Sequence, residues 1–173
     1  MTDMSYMFGS VDEDDRRDAS TFNVDLSKWD VTRVTTMKAM FHFAIQFNGD
    51  VSKWITSQVT DMEAIFNEAH VFDGCNGNVE QCDNSLKNWD VARVTNMKEM
   101  FRKAHVFNSD LSNWKVTQVT TIASMFVYAG AFNGDISTWV SQEVVCDAVK
   151  RVFLTFWFSF FLLHFFICRT CHK

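Results

Sequence analysis

The chain has 173 residues, of which 47% are apolar and 21% charged, and its formal net charge is −5. It contains no proline, 18 phenylalanines and six tryptophans, which excludes collagen-like, proline-linker and generic disordered proteins. The acidic balance argues against a nucleic-acid-binding protein, which needs a basic footprint. We find no phosphate loop and no HExxH or GxSxG motif, so nothing in the sequence indicates an enzyme.

Residues 1–144 form a repeat with two insertions, near 9–20 and 74–84. Phe-Asn or Phe-Asp pairs and a Met-Phe column recur in five units, the first of which begins in mid-unit. Tryptophans recur every 25 residues, or every 35 across the second insertion: Trp29, Trp54, Trp89, Trp114 and Trp139. Because one such unit cannot bury its apolar face alone, we predict stacked coils whose Trp, Met, Phe and Val columns form the core.

One half of each unit has helical periodicity. Met97, Met100, Phe101 and Ala104 follow the i, i+3, i+4, i+7 spacing of one helix face. A threonine stands where a helix N-cap belongs in four units: Thr35, Thr60, Thr95 and Thr120. The sequence therefore predicts one short helix per coil.

The other half of the unit looks like a short strand. Trp114 and Val116 alternate with polar residues, so they would share the inner face of a strand, with a bend near Leu111. The Asn column (Asn23, Asn48, Asn108 and Asn133) is predicted to bond backbone groups in turns. Asp25, Asp50, Asp110 and Asp135 are predicted to cap turns, and calcium between stacked carboxylates remains the alternative.

The unit resembles the BspA-type leucine-rich repeat of surface proteins, which is also described in mycoplasmas as a 25-residue domain of unknown function. The segments that carry the resemblance are 89–91, 94–97, 100–101, 104, 107–108 and 110–112. The predicted fold is an α/β, short right-handed leucine-rich-repeat-like solenoid of about five coils, each with one short parallel strand and one short helix. The resemblance implies a cell-surface or secreted protein that binds other proteins, and it supplies no catalytic residues.

Histidine and cysteine pairs were considered as special sites. His70 and His105 share a column and could hold a metal together, but no third ligand is aligned with them, so we predict neither a metal nor a cofactor. Cys75 and Cys82 lie in the second insertion. They are predicted to form a local disulfide in an oxidising compartment, with free thiols as the alternative.

Residues 145–173 leave the repeat and are predicted to form an apolar C-terminal helix. Within this segment, 152–168 is an almost unbroken apolar stretch of 17 residues, the lower limit for a membrane span. Three interpretations stay open for it. It is a membrane anchor (a transmembrane helix), non-native sequence from a wrong gene model, or a helix that caps the end of the coils.

The residues between the inward Trp and Val should point outward and form the binding face. This face and its edge carry a net charge of +3, whereas residues 1–143 carry −8. The candidate partner-binding residues are Lys28, Asp30, Arg33, Lys53, Ile55, Asp90, Arg93 and Lys115. We expect a non-catalytic, adhesion-type protein-recognition module at the cell surface or outside the cell. The alternative is a structural fragment or gene-model remnant of a larger repeat protein, with no activity of its own.

Overall fold

Successive repeat units form coils that stack in chain order. The structure is a computed structural model, and it describes residues 1–10, 19–73 and 86–139. Isolated parallel bridges connect each coil to the next: Asp3 to Thr36, Thr36 to Asp61, Asp61 to Asn96, and Asn96 to Thr121. One residue of each coil takes part, and these residues are spaced as the repeat is, so one unit makes one coil.

The predicted α/β fold class is wrong. In the described ranges the only complete regular element is the 3-10 helix Ser137–Trp139. The parallel contacts are isolated bridges and build no sheet there. A leucine-rich-repeat-like solenoid with one strand and one helix per coil therefore does not describe this chain.

The segments predicted as helices are chains of tight turns, which we call turn ribbons (4–10, 37–44, 62–69, 97–104 and 122–129). In the second ribbon, the N–H groups of Met40, His42 and Ala44 donate to the carbonyls three residues earlier, at 3.1, 3.1 and 3.0 Å. The intervening N–H groups donate to the next coil instead; they belong to Met37, Ala39, Phe41 and Phe43. An α-helix bonds every N–H to the carbonyl four residues earlier. Half of the N–H groups in this ribbon instead donate to carbonyls of another coil, which excludes a helix.

Each turn ribbon places non-glycine residues in the left-handed region. Ala39 and Phe43 have φ values of 52° and 61°, and later ribbons repeat both positions. The other positive-φ residues are Tyr6, Ala64, Glu68, Glu99, Lys103, Ser124 and Tyr128. This conformation costs an L-residue roughly 1 kcal/mol, and the hydrogen bonds between coils hold it in place.

The threonine column does not cap helices, so that prediction is also wrong. The N–H and Oγ1 of Thr60 both donate to the carbonyl oxygen of Thr35, at 2.8 and 3.1 Å. Thr95 makes the same pair of bonds to Thr60, at 2.8 and 3.1 Å. The threonines form a ladder in which each residue bonds to the coil before it.

The predicted core columns are confirmed. Phe41 stacks on Phe47 of its own coil at 4.0 Å between ring centroids and on Phe66 of the next coil at 5.5 Å. The side chains of Trp54, Trp89 and Trp114 are 3% exposed, whereas Trp29 is 38% exposed. The aromatic and methionine columns therefore run continuously through the stack.

The Asp and Asn columns have the predicted turn roles. Asp25, Asp50, Asp110 and Asp135 each accept a hydrogen bond from the backbone N–H of the serine two residues later, at 2.8–2.9 Å. The Oδ1 of Asn48 accepts the N–H of Asp73 in the following coil at 3.1 Å. These side chains thus replace backbone partners at the corners of the coils.

Several sequence predictions fall outside the described residues. They are the Cys75–Cys82 disulfide, the apolar C-terminal helix within 145–173 and the stretch 152–168. None of the described segments forms a helix with the length and apolar character that crossing a bilayer requires. The stretch predicted as a transmembrane helix lies outside these segments, so the described residues give that prediction no support.

Ser124 provides a test of the turn ribbon, because its φ of 58° suits glycine better than serine. We expect Ser124→Gly to leave the free energy of unfolding unchanged or raise it by up to about 1 kcal/mol. The neighbouring Ala123 lacks a positive φ, so Ala123→Gly should lower it by roughly 0.5–1 kcal/mol. Urea denaturation of both variants measures the difference. Equal destabilisation would contradict a left-handed residue at 124.

Asp110 should make stability depend on pH. Hydrogen bonds from Lys87 Nζ, at 2.6 Å, and from Ser112 lower the pKa of Asp110 to about 2. A lowered folded-state pKa stabilises the fold fully above the ordinary value of 3.8, and the contribution disappears as the pH falls towards about 2. Because Lys87 and Asp110 are 35% and 30% exposed and solvent screens the pair, we expect an effect below about 1 kcal/mol.

The measurement is the melting temperature of the parent and of Asp110→Asn at several pH values. The two curves should lie apart at neutral pH and converge as the pH falls to about 2. Asp135→Asn is the matched control, because Asp135 caps the same kind of turn without a lysine on its carboxylate. A gap between parent and Asp110→Asn that stays constant at all pH values would exclude this role for Asp110.

Candidate functional site

The outward face of the coils is formed by the segments 28–33, 53–58, 88–93 and 113–118, which we call the loop face. In three segments the Trp column and the second residue after it point inward, as Trp89 and Val91 do at 3% and 1% exposure; in the first segment Val31 is buried but Trp29 is 38% exposed. A side-chain turn bond shapes two of the segments: Asp30 Oδ1 accepts the N–H of Thr32 at 3.0 Å, and Asp90 repeats it. The backbone forms no strand, but side chains still alternate between core and solvent.

The predicted partner-binding residues all lie on the loop face and are all exposed. They are Lys28, Asp30, Arg33, Lys53, Ile55, Asp90, Arg93 and Lys115. Ile55 is a large apolar side chain that is 57% exposed among these charged neighbours. The structure thus brings the eight residues to one surface, and their role in binding stays a prediction.

The cations of the loop face form no ion pair within the described residues, although Asp25 lies close enough to Lys28 and Lys53, and Asp30 to Arg33, for a through-space attraction. Among the described residues, none of the following takes part in an ion pair: Lys28, Arg33, Lys53, Arg93 and Lys115. Arg93 Nη1 instead donates to the neutral Gln58 Oε1 at 2.7 Å. The pKa of Asp30 lies below its ordinary value because the hydroxyl and N–H of Thr32 bond to its carboxylate. The positive charges therefore remain available to a partner.

On the turn ribbons, by contrast, acids and bases pair between coils. Glu63 contacts Lys38 at 3.0 Å and Lys98 at 3.9 Å, and it accepts the Asn96 amide at 3.0 Å. Burial raises the pKa of Glu63, but the hydrogen bonds from Lys38 and Asn96 outweigh it, so the pKa lies below its ordinary value. Lys38 and Lys98 therefore contribute to the contacts between coils.

Glu68 is the most buried acid of the ribbon side, at 8% exposure. Its carboxylate bonds to Lys103 Nζ and to His70 Nε2, the latter at 3.1 Å. Burial raises its pKa, yet these bonds bring it below its ordinary value. Sequence reasoning missed both ion-pair groups. The sequence signal that could have indicated the Glu68 group is the change of charge sign at one repeat position, from Glu68 to Lys103 in the next unit.

The two histidines of one column do come together, at 4.6 Å between ring centroids. His70 contacts Glu68, and His105 Nδ1 lies 3.1 Å from the carbonyl oxygen of Tyr128. No cluster of three or more His, Cys, Asp or Glu side chains suited to a metal ion occurs in the described ranges. Within the described ranges the aspartate column of Asp25, Asp50, Asp110 and Asp135, for which calcium was the alternative, also forms no such cluster.

A cavity of about 330 Å³ opens on the loop face, beside the 3-10 helix Ser137–Trp139. Its lining residues are Ser112, Asn113, Trp114, Lys115, Val116, Thr117, Thr138 and Trp139. Of these, only Lys115 is among the partner-binding residues predicted from the sequence. The cavity depends on how two neighbouring coils meet, so no periodic pattern could have located it.

The comparisons with known proteins agree with the repeat and are silent on its activity. The sequence model of one family matches residues 1–82 and again 77–155. That match supports the mycoplasma-type repeat domain, and it does not extend to the BspA-type leucine-rich repeat. No curated protein and no solved structure matches the chain. The chain belongs to the family described as "Mycoplasma protein of unknown function, DUF285".

Proposed function

We propose that this chain is a protein-recognition module that binds its partners through the loop face and has no catalytic activity. The observation that carries the proposal is the set of five loop-face cations that form no ion pair with any described residue. A cation without a counter-charge gains more from an acidic partner than one that must first leave its own ion pair. The partner surface is therefore expected to be acidic.

The division of charge between the two sides of the coils supports this assignment. Glu63 and Glu68 bind most of the ribbon-side cations, although both acids are partly or fully buried. In the described part of the chain no acid forms an ion pair with the loop-face cations, and Asp25 and Asp30 act on Lys28, Lys53 and Arg33 only through space. Because the whole body of the repeat is acidic, the basic loop face would also orient an approaching acidic protein.

The loop face also varies where the scaffold does not. Positions equivalent to Lys28 hold Lys53, Asn88 and Asn113 in the other coils, while the neighbouring Trp column is invariant. Repeat scaffolds carry recognition in this way, since exposed positions change without disturbing the stacked core. A location at the cell surface or outside the cell is part of the proposal and follows from the resemblance to surface-protein repeats.

The test compares two variants of the full chain with equal changes in net charge. The loop-face variant carries Lys28→Gln, Lys53→Gln, Arg93→Gln and Lys115→Gln. The control variant places the same charge change on an exposed column at another corner of the coils, with Gln46→Glu, Val71→Glu, Val106→Glu and Ala131→Glu. Each exposed change should alter stability by no more than about 0.5 kcal/mol.

Binding of labelled protein to cultured cells, intact or stripped of surface protein by protease, is the readout. We expect the loop-face variant to lose at least roughly tenfold in apparent affinity, because a desolvated charge pair contributes 1.4 kcal/mol or more. The control variant and the parent should bind alike, and protease stripping should abolish both signals. Equal binding by the two folded variants would refute the proposal and favour a structural fragment without its own binding activity.

A further inference from the structure

His42 lies at the contact between the first two coils. It holds the position in the second turn ribbon that Gly9 holds in the first. The carbonyl oxygen of His42 accepts the N–H of Ser10 at 3.1 Å. A Cβ placed on Gly9 would lie 2.3 Å from the Ala39 carbonyl oxygen and 2.8 Å from the His42 nitrogen, closer than Cβ atoms approach. The backbones of the two coils are therefore in direct contact at His42.

The imidazole ring of His42 has a buried nitrogen without a partner. The ring stacks on Phe43 at 4.2 Å between centroids, and its Nδ1 is buried and makes no hydrogen bond. Asn67, at the same position of the next coil, also has an unpaired buried Oδ1, so the two atoms do not bond to each other. A neutral ring can keep Nδ1 unprotonated, whereas an imidazolium must carry a proton on both nitrogens. Protonation of His42 would therefore place a charged donor at a buried atom that has no hydrogen-bond partner, which is costly.

Burial decides the direction in which the pKa of His42 is shifted. It is the largest effect and lowers the pKa below the ordinary value of 6.5, and the positive charge of Arg102 acts in the same direction. The carboxylates of Glu68 and Glu99 and a backbone hydrogen bond at Ser10 favour the charged ring and only partly offset this effect. The folded chain therefore keeps His42 neutral at a pH at which the unfolded chain would bind a proton.

We propose that His42 is a pH-sensitive switch that loosens the first coil from the second when the medium becomes mildly acidic. Protonation favours an open state in which water reaches Nδ1, so acid shifts the population away from the closed contact at Gly9 and Ser10. The sign follows from linkage: a histidine whose folded-state pKa is lowered stabilises the closed contact fully above 6.5, and the stabilisation is lost as the pH falls below 6.5. The switch does not depend on the loop face, so its test is separate from that of the proposed function.

The test measures amide hydrogen exchange of the full chain by NMR at about pH 7.5 and about pH 5.5. The reporters are the amides of Met4, Tyr6 and Phe8, which donate to the second coil at 3.0, 2.9 and 2.9 Å. After correction for the intrinsic pH dependence of exchange, their protection should fall by roughly threefold to tenfold, because linkage to a group of ordinary pKa 6.5 permits about tenfold at one unit below it. The amides of Met97 and Glu99 make the same kind of bond farther along the stack and should change by less than about twofold. An equal fall at all of these amides would overturn the assignment to the first contact.

Two variants assign the fall in protection to His42. His42→Val introduces the neutral residue that the repeat itself carries at this position as Val127, so the fall at the first-coil amides should disappear. His105→Gln is the matched control, because His105 is exposed and its Nδ1 lies 3.1 Å from a carbonyl oxygen. This control should keep the fall seen in the parent. A fall that persists in His42→Val, or one that disappears in His105→Gln, would exclude His42 as the switch.

Direct titration of His42 keeps the test valid if His42→Val does not fold. The ring Cε1–H resonance of His42, assigned through its backbone, reports the pKa of this group in the parent chain by NMR. We expect His42 to titrate below 6.5 in the folded chain and near 6.5 in the urea-unfolded chain. A folded-state pKa at or above 6.5 would reverse the sign of the linkage and overturn the proposal.

Discussion

The structure depends on how the turn ribbons divide their backbone donors. Alternate N–H groups bond three residues back within a coil, and the others bond to the following coil, as Phe41 does to Ile65 at 2.9 Å. This division requires residues such as Ala39 and Phe43 to adopt positive φ. The strain is accepted because an unpaired backbone group in the core would cost more than a left-handed residue. A coil of this kind is stable only with a neighbour.

Side chains complete the pairing that the ribbons leave unfinished. The threonine ladder, the Asn48 amide and the Trp indoles all bond to backbone groups of an adjacent coil. The polar columns are thus as much a part of the stacking as the stacked Phe rings. This explains why the repeat conserves its polar positions from unit to unit, whereas a purely apolar core would need only the aromatic and methionine columns.

The scaffold also determines where the chain is free to vary. Ribbon charges such as Lys38 and Glu63 pair between coils, so changing one removes a contact from a side chain that is only 37% or 22% exposed. Loop-face charges such as Lys28 form no such ion pair with the described residues of other coils. Variation in charge therefore falls on the loop face.

The sequence by itself determined the period of the coils, the inward columns, the turn roles of Asp25 and Asn48, and the outward position of Lys28 and Arg93. These follow from spacing, because side chains at one repeat position share one environment.

The tertiary structure alone decided the backbone conformation. Met97, Met100, Phe101 and Ala104 face the core equally well from a helix or from a turn ribbon, since the apolar spacing is the same. Only the hydrogen bonds to the next coil distinguish the two, and their partners lie about 25 residues away, beyond any local pattern.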